Sequence, residues 1–196
     1  MTPSAGAEDC YPSITPALPD RHARAFRSLF HTLIERLMVI EEQHSWAPHL
    51  RSRDTVRKGS IRHFVDPSLA VAGLRASSRD LLHDAEAFGL LFESLVIRDL
   101  RVYSELLGGE VRHYRDSAGS EADAIIQLDD GRWVAVEVKL SPSRADDASR
   151  SLERLIAKID TDRVGAPVAR LVITGTGYAY TRPDGTHVVP LACLAP

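Results

Sequence analysis

The chain has 196 residues, room for one sizeable domain or a domain with a small appendage. Hydrophobic residues make up 44% and charged residues 26%, the profile of a globular protein, and a net charge of −3 excludes nucleic-acid binding by overall charge alone, leaving only a local patch for phosphate. Cys10 and Cys193 sit at opposite ends without zinc-ligand partners, no apolar run reaches the ~18 residues of a membrane span, and the N-terminus lacks a secretion signal; a cytoplasmic protein with reduced thiols is expected, with no membrane partner.

Residues 1–21, with Pro3, Pro12, Pro16 and Pro19 among small polar residues, read as a flexible lead-in. Phe26, Leu29, Phe30, Leu33, Ile34, Leu37 and Met38 recur at helical spacing. An extended segment follows over Ile40 to Trp46. Arg51, Arg53, Arg57, Lys58 and Arg62 stand against a single Asp54, with Lys58-Gly59-Ser60 as a turn signal, so a basic hairpin or loop is expected. Asp66 precedes Pro67 and is held out of the helical region, while Pro67 can open a short helix. A long helix is predicted from about Asp84 to Leu107, burying Phe88, Leu91, Phe92, Leu95, Val96, Leu100 and Tyr103 and ending at Gly108-Gly109. Strands are predicted over Val111 to Arg115, Ala122 to Leu128 and Trp133 to Leu140. A second amphipathic helix spans Ala145 to Ile159, and a core strand spans Val168 to Thr174. Tyr178 to Pro190 fits a terminal hairpin around Pro183-Asp184-Gly185. The order helix, three-stranded antiparallel meander, helix, strand makes an α/β fold.

The chemistry lies on the central strands. Strand alternation puts Val134, Val136, Val138 and Leu140 on one face, and Trp133, Ala135, Glu137 and Lys139 on the other. Whether Asp123 meets Glu137 depends on the hairpin. A two-residue loop puts Asp123 opposite Val138, on the wrong face. A three-residue Asp129-Asp130-Gly131 loop puts it opposite Glu137 and suits a type I turn followed by a left-handed glycine; this register is chosen, although a bulge could also restore the parity. Two carboxylates at a cross-strand pair repel unless a cation lies between them, and Mg²⁺ or Mn²⁺ suits an oxygen donor set. Lys139 could then orient a water or stabilise charge developing on phosphorus. The plainer reading is a surface Glu137–Lys139 ion pair beside a solvated Asp123.

Four stretches carry a resemblance. Asp123 on the second strand followed by Glu137-Val138-Lys139 on the third resembles the PD-(D/E)xK nuclease superfamily, with Glu93 where many members carry an extra helical acid. More narrowly, Phe64-Val65-Asp66-Pro67-Ser68-Leu69-Ala70, Gly89-Leu90-Leu91-Phe92-Glu93-Ser94-Leu95-Val96, Ser120-Glu121-Ala122-Asp123 and Val136-Glu137-Val138-Lys139 resemble domain-of-unknown-function family 4143, the C-terminal domain of bacterial and archaeal AAA-type ATPases. The resemblance spans about Leu33 to Pro196. It implies a PD-(D/E)xK nuclease-like core over residues 67–196 and a partial winged-helix-like helix and basic hairpin over residues 22–66. It implies catalytic Asp123, Glu137, Lys139 and Glu93, metal ligands Asp123, Glu137 and Val138, and DNA as a partner. Such proteins usually begin with a P-loop ATPase, but this sequence has no G-x-x-x-x-G-K-[ST]. No ATP site is therefore expected, and the chain reads as a fragment or a truncated relative, with an ATPase domain or partner chain elsewhere.

Other residues carry less. The basic residues Arg51, Arg53, Arg57, Lys58 and Arg62 could bind a phosphate backbone or could contact another domain. Ser151 and Arg154 could face the site. Trp46 and Trp133 read as packing residues, and the eight histidines show no paired zinc spacing. Two functions compete: a metal-dependent phosphodiesterase acting on DNA, and a catalytically silent nucleic-acid-binding or protein-interaction module of an ATPase assembly.

Overall fold

The computed structural model describes residues 32–48 and 59–194. The lead-in, Cys10, the helical stretch before Thr32 and the basic residues Arg51, Arg53, Arg57 and Lys58 lie outside the described residues. Residues 32–36 are helical, but Leu33, Leu37 and Met38, expected on an inward stripe, are exposed.

Two strands, β1 (Ile40–Gln43) and β2 (Ile61–Phe64), form an antiparallel pair with Ile40 opposite Phe64. Three helices follow. In α1 (Pro67–Leu74) proline occupies the first turn and the Asp66 side chain caps the Ser68 N–H. In α2 (Ser78–His83) Ser77 and Asp80 cap each other reciprocally. Asp84 then caps α3 (Ala85–Glu105) through the Ala87 N–H. The short helix opened by Pro67 and the long helix from about Asp84 match the sequence expectation, whereas α2 and the capping box at Ser77 that starts it were not anticipated.

A six-stranded sheet forms the body of the fold, in the order β3-β4-β5-β6-β8-β7. Its strands are β3 (Gly109–Arg115), β4 (Glu121–Leu128), β5 (Trp133–Lys139), β6 (Ala169–Thr174), β7 (Tyr180–Thr181) and β8 (His187–Pro190). The first three make the expected antiparallel meander. Helix α4 (Ala145–Ile156) crosses over so that β6 runs parallel to β5, and a single turn, α5 (Thr161–Val164), completes that connection. The terminal hairpin adds two more strands, with β8 parallel to β6 and β7 antiparallel to β8.

Alternation along β5 divides the core into two layers. On one face Val136 and Val138 pack with Phe92, Val96, Ile97 and Leu100 of α3. On the other, Trp133 and Ala135 pack with Leu152 and Leu155 of α4. Trp46, 2% exposed, stacks on Trp133 at 4.9 Å between ring centroids and donates its indole N–H to Gln127, so both tryptophans are packing residues. Ser45 bridges to His113 on the edge strand β3, which ties the small sheet to the large one.

The β4–β5 turn is the three-residue form. The Leu128 N–H donates to the Arg132 carbonyl at 2.8 Å, and Gly131 sits at φ +87°. A methyl group at Gly131 would meet no atom within 4 Å, so Gly131→Ala carries only the backbone penalty of the left-handed region. That substitution is expected to lower stability by about 1 kcal/mol in urea denaturation while leaving the Leu128–Arg132 pairing in place. A change of no more than a few tenths would mean that the turn is not held in this conformation.

Candidate functional site

The register set by that turn carries through Gln127–Trp133, Ile126–Val134 and Ile125–Ala135 to Ala124–Val136, and there the ladder stops. On the other side, Ile125 pairs with Arg112 and Ala122 with Tyr114. Two residues of β4, Asp123 and Ala124, thus stand against one of β3, His113, which is a bulge. Asp123 has no ladder partner in either neighbouring strand. Its carboxylate turns toward β5 and accepts the Val138 N–H at 2.7 Å.

Glu137 and Lys139 share a face of β5, as alternation requires. The Lys139 Nζ donates to Glu137 Oε2 at 2.6 Å and lies 3.5 Å from Asp123 Oδ2, so one ammonium joins both carboxylates. Glu137 is 3% exposed, which removes the reading of a surface ion pair. Ser151 of α4 also favours the charged form of Glu137.

Electrostatics follow from this crowding. Burial and then the Asp123 charge push the Glu137 carboxyl up to about 7, against the pull of Lys139 and Ser151. Glu93, half-buried on α3, is also pushed up to about 7, by burial first and then by Asp123. Burial works to lower Lys139, but Asp123 and Glu137 outweigh it and hold the ammonium above its ordinary range. The predicted set Asp123, Glu137, Lys139 and Glu93 is thus one electrostatic unit. Of these, Glu93 and Lys139 line a cleft of about 360 Å³ between α3 and the end of β5, together with Glu86, Ser141 and Arg144.

Of the predicted metal ligands, Asp123 and Glu137 offer carboxylate oxygens suited to a hard divalent ion. Val138 can offer only its main chain, because its side chain is buried against α3. Among the described residues, no three His, Cys, Asp or Glu side chains converge as a ready-made metal cage. The donor set therefore fits an ion held by two carboxylates and completed by water or substrate oxygens.

The basic segment is not brought to this cluster by any described residue. Arg62, its described member, is paired with Glu35 at 3.5 Å and Glu42 at 3.2 Å. Sequence reasoning missed three buried polar residues next to the site: Gln43, His63 and Ser94. Gln43 donates from Nε2 to the Asp123 carbonyl, His63 contacts Gln43, and Ser94 contacts His63. Only their placement between apolar neighbours could have signalled burial.

The sheet and cluster define a mixed α/β domain with one buried acid, two half-buried acids and one lysine around the end of its central strand. The chain belongs to the family described as a domain of unknown function, DUF4143, whose model matches residues 88–194 and so spans the whole cluster. A comparison with curated proteins gives no match. Among solved structures, one similar chain comes from an assembly of Thermococcus gammatolerans McrB AAA+ hexamers with bound McrC. The TM-score is 0.36 and the identity 12%, over 91% of this chain and 63% of that one. This chain therefore spans less than two-thirds of that structure, and a likeness of that degree does not define a shared fold. Among the described residues, no helix is long and apolar enough to cross a membrane.

The raised acids predict how stability depends on pH. Between about 4.5 and 7, the native state holds protons on Glu93 and Glu137 that the unfolded chain has released. Their contribution is therefore fully present below about 4.5 and is lost as pH rises through about 7. Unfolding midpoints should fall across this window, and Glu137→Gln should flatten the fall by on the order of 2 kcal/mol. An identical slope in wild type and Glu137→Gln would show that Glu137 is not protonated in the native state.

Proposed function

We propose that this domain is a metal-dependent phosphodiesterase of PD-(D/E)xK type acting on DNA, with Asp123 and Glu137 as ligands, Lys139 as the catalytic cation and Glu93 as an accessory acid. The observation that carries this reading is the joining of Asp123 and Glu137 through one half-buried ammonium at the end of β5, beside an open cleft. Mg²⁺ or Mn²⁺ held there would lower the pKa of a water and polarise a phosphodiester. Asp123 and Glu137 fix the position of the charge, and the Val138 N–H fixes the Asp123 carboxylate. Lys139 hydrogen-bonds the negative oxygens at the reacting phosphate. Burial of Glu137 against α4 excludes bulk water from one side of the site. Arg51, Arg53, Arg57 and Lys58, close together in the sequence, would supply positive charge for the DNA backbone. A cytoplasmic setting fits this activity.

A second reading has its own observation. Lys139 already neutralises Asp123 and Glu137 at contact distance, which is also how a silent structural cluster would look. In that case the domain is a binding or interaction module of an ATPase assembly, in line with the resemblance of its motifs to AAA-type C-terminal domains.

Calorimetric titration with Mn²⁺ and a cleavage assay on single-stranded, double-stranded and branched DNA separate the two. Glu137→Ala should lose metal binding and cleavage together. Lys139→Ala should keep or gain metal affinity, since it removes a competing cation, while cleavage falls by ~10²-fold or more. Metal binding by wild type without cutting of any of these DNAs would sink the nuclease reading and leave the module.

Binding to DNA is expected to weaken steeply with salt, because each neutralised phosphate releases counterions. Charge reversal at Arg57 and Lys58 should flatten that dependence. A salt slope unchanged by the reversal assigns the segment to contacts with another protein.

A further inference from the structure

The bulge leaves the Asp123 peptide without strand partners, yet its carbonyl is not idle. Gln43 Nε2, on β1, donates to it at 3.0 Å. A main-chain carbonyl only accepts, so the amide nitrogen of Gln43 must face it. The Gln43 Oε1 is thereby turned toward His63 Nε2, 3.0 Å away on β2. An amide oxygen also only accepts, so His63 carries its proton on Nε2. Burial, and then the charge of Arg101, lower the His63 pKa to about 4, which keeps the ring neutral. Its Nδ1 is then an acceptor and receives a hydrogen bond from the Ser94 hydroxyl at 3.4 Å. The direction of every link is fixed, from Ser94 through His63 and Gln43 to Asp123. All three side chains are buried: Gln43 at 0%, His63 at 3% and Ser94 at 5% exposure.

The two ends of this chain give it meaning. It starts on α3 at the residue next to Glu93, and it ends on the peptide of Asp123. The carboxylate of Asp123 spans from that peptide to the Val138 N–H and Lys139. A bulged residue held by side-chain contacts alone has more rotational freedom than a ladder residue, and Gln43 removes that freedom at the carbonyl.

We propose that Gln43 and His63 are positioning residues: they fix the Asp123 peptide so that its carboxylate meets Val138 and Lys139, and they hold it in register with the turn of α3 that bears Glu93. The inference rests on the site reading given above for its catalytic meaning, but its geometry can be tested without metal.

The reporter is the Val138 amide, whose hydrogen bond exists only while the Asp123 carboxylate is in place. Hydrogen exchange is followed by NMR at Val138 and, two residues earlier on β5, at Val136. In Gln43→Leu and His63→Leu, Val138 exchange should rise at least ~10-fold relative to Val136, with Val136 protection kept. In His63→Gln, where a side-chain amide can donate to Gln43, Val138 protection should return toward wild type. Equal acceleration at both amides would reduce the chain to general packing and overturn the proposal, as would no change at Val138. If Gln43→Leu does not fold, the contrast between His63→Leu and His63→Gln decides the same question. A parallel Mn²⁺ titration separates the two claims. Where wild type binds, Gln43→Leu should weaken binding ~10- to 100-fold, the usual effect of losing an outer-shell partner, and an unchanged Kd overturns the positioning role. Failure of wild type to bind Mn²⁺ overturns the metal reading alone, and the Val138 comparison still decides the positioning.

Discussion

The hydrogen bond from the Val138 N–H to the Asp123 carboxylate is the constraint on which the site depends. In an uninterrupted ladder, the pairing that runs from Leu128–Arg132 through Ala124–Val136 would present Val138 to the main chain of Ala122. The bulge at Asp123 and Ala124 breaks that continuation, and a side chain replaces a backbone acceptor. Three consequences follow from one substitution of acceptor. The strands part at the end of β5, an acid is aimed into the gap, and the Asp123 carbonyl becomes available to Gln43.

Into that gap the fold packs more negative than positive charge. Asp123, Glu137 and Glu93 share one lysine, with Ser151 adding a neutral donor. Desolvation makes each unpaired carboxylate costly, and the structure relieves the cost by raising two of the carboxyls rather than by adding a second basic side chain. Such an arrangement is poorly optimised for stability. Replacing Glu137 by an apolar residue would remove a buried charge from a region where Leu152, Leu155 and Val172 already pack closely. An excess of acid held against its own repulsion is what the proposed metal site would use.

Most of this was legible in the sequence, for identifiable reasons. Glu137 and Lys139 are two residues apart on a strand whose other face is valine, so alternation alone put them together. The Asp129-Asp130-Gly131 loop suits a three-residue turn with a left-handed glycine, and the predicted register followed as far as Ala124–Val136, one residue short of Asp123. The bulge was not legible. Asp123 and Ala124 have no glycine or proline to mark it, and it exists because Tyr114 and Ala122 pair one position out of step with Arg112 and Ile125. Gln43, His63 and Ser94 were missed for a related reason. Gln43 follows two glutamates in a strand of four, and nothing local separates a buried amide from a solvated one. Their burial comes from contacts 20 to 80 residues apart in sequence, a distance over which periodicity carries no information. Leu33, Leu37 and Met38 show the opposite failure, since their spacing pointed inward and the structure exposes them.

Lys139 decides what this charge balance can do. Its Nζ occupies the space between Asp123 and Glu137, so any cation entering there competes with it directly. The competition is favourable to a divalent ion on charge, since two positive charges meet two carboxylates where the ammonium supplies one. It is unfavourable on desolvation, since the ion must shed water to enter a site whose Glu137 is almost fully enclosed. The lysine stem is flexible and its head lines the same cleft as Ser141 and Arg144, so displacement leaves the ammonium facing the cleft rather than buried without a partner. A structural ion pair has no such alternative position. On the proposed nuclease reading, the same residue would neutralise the acids without an ion and face a phosphate with one, and the cleft beside β5 gives its head room to move.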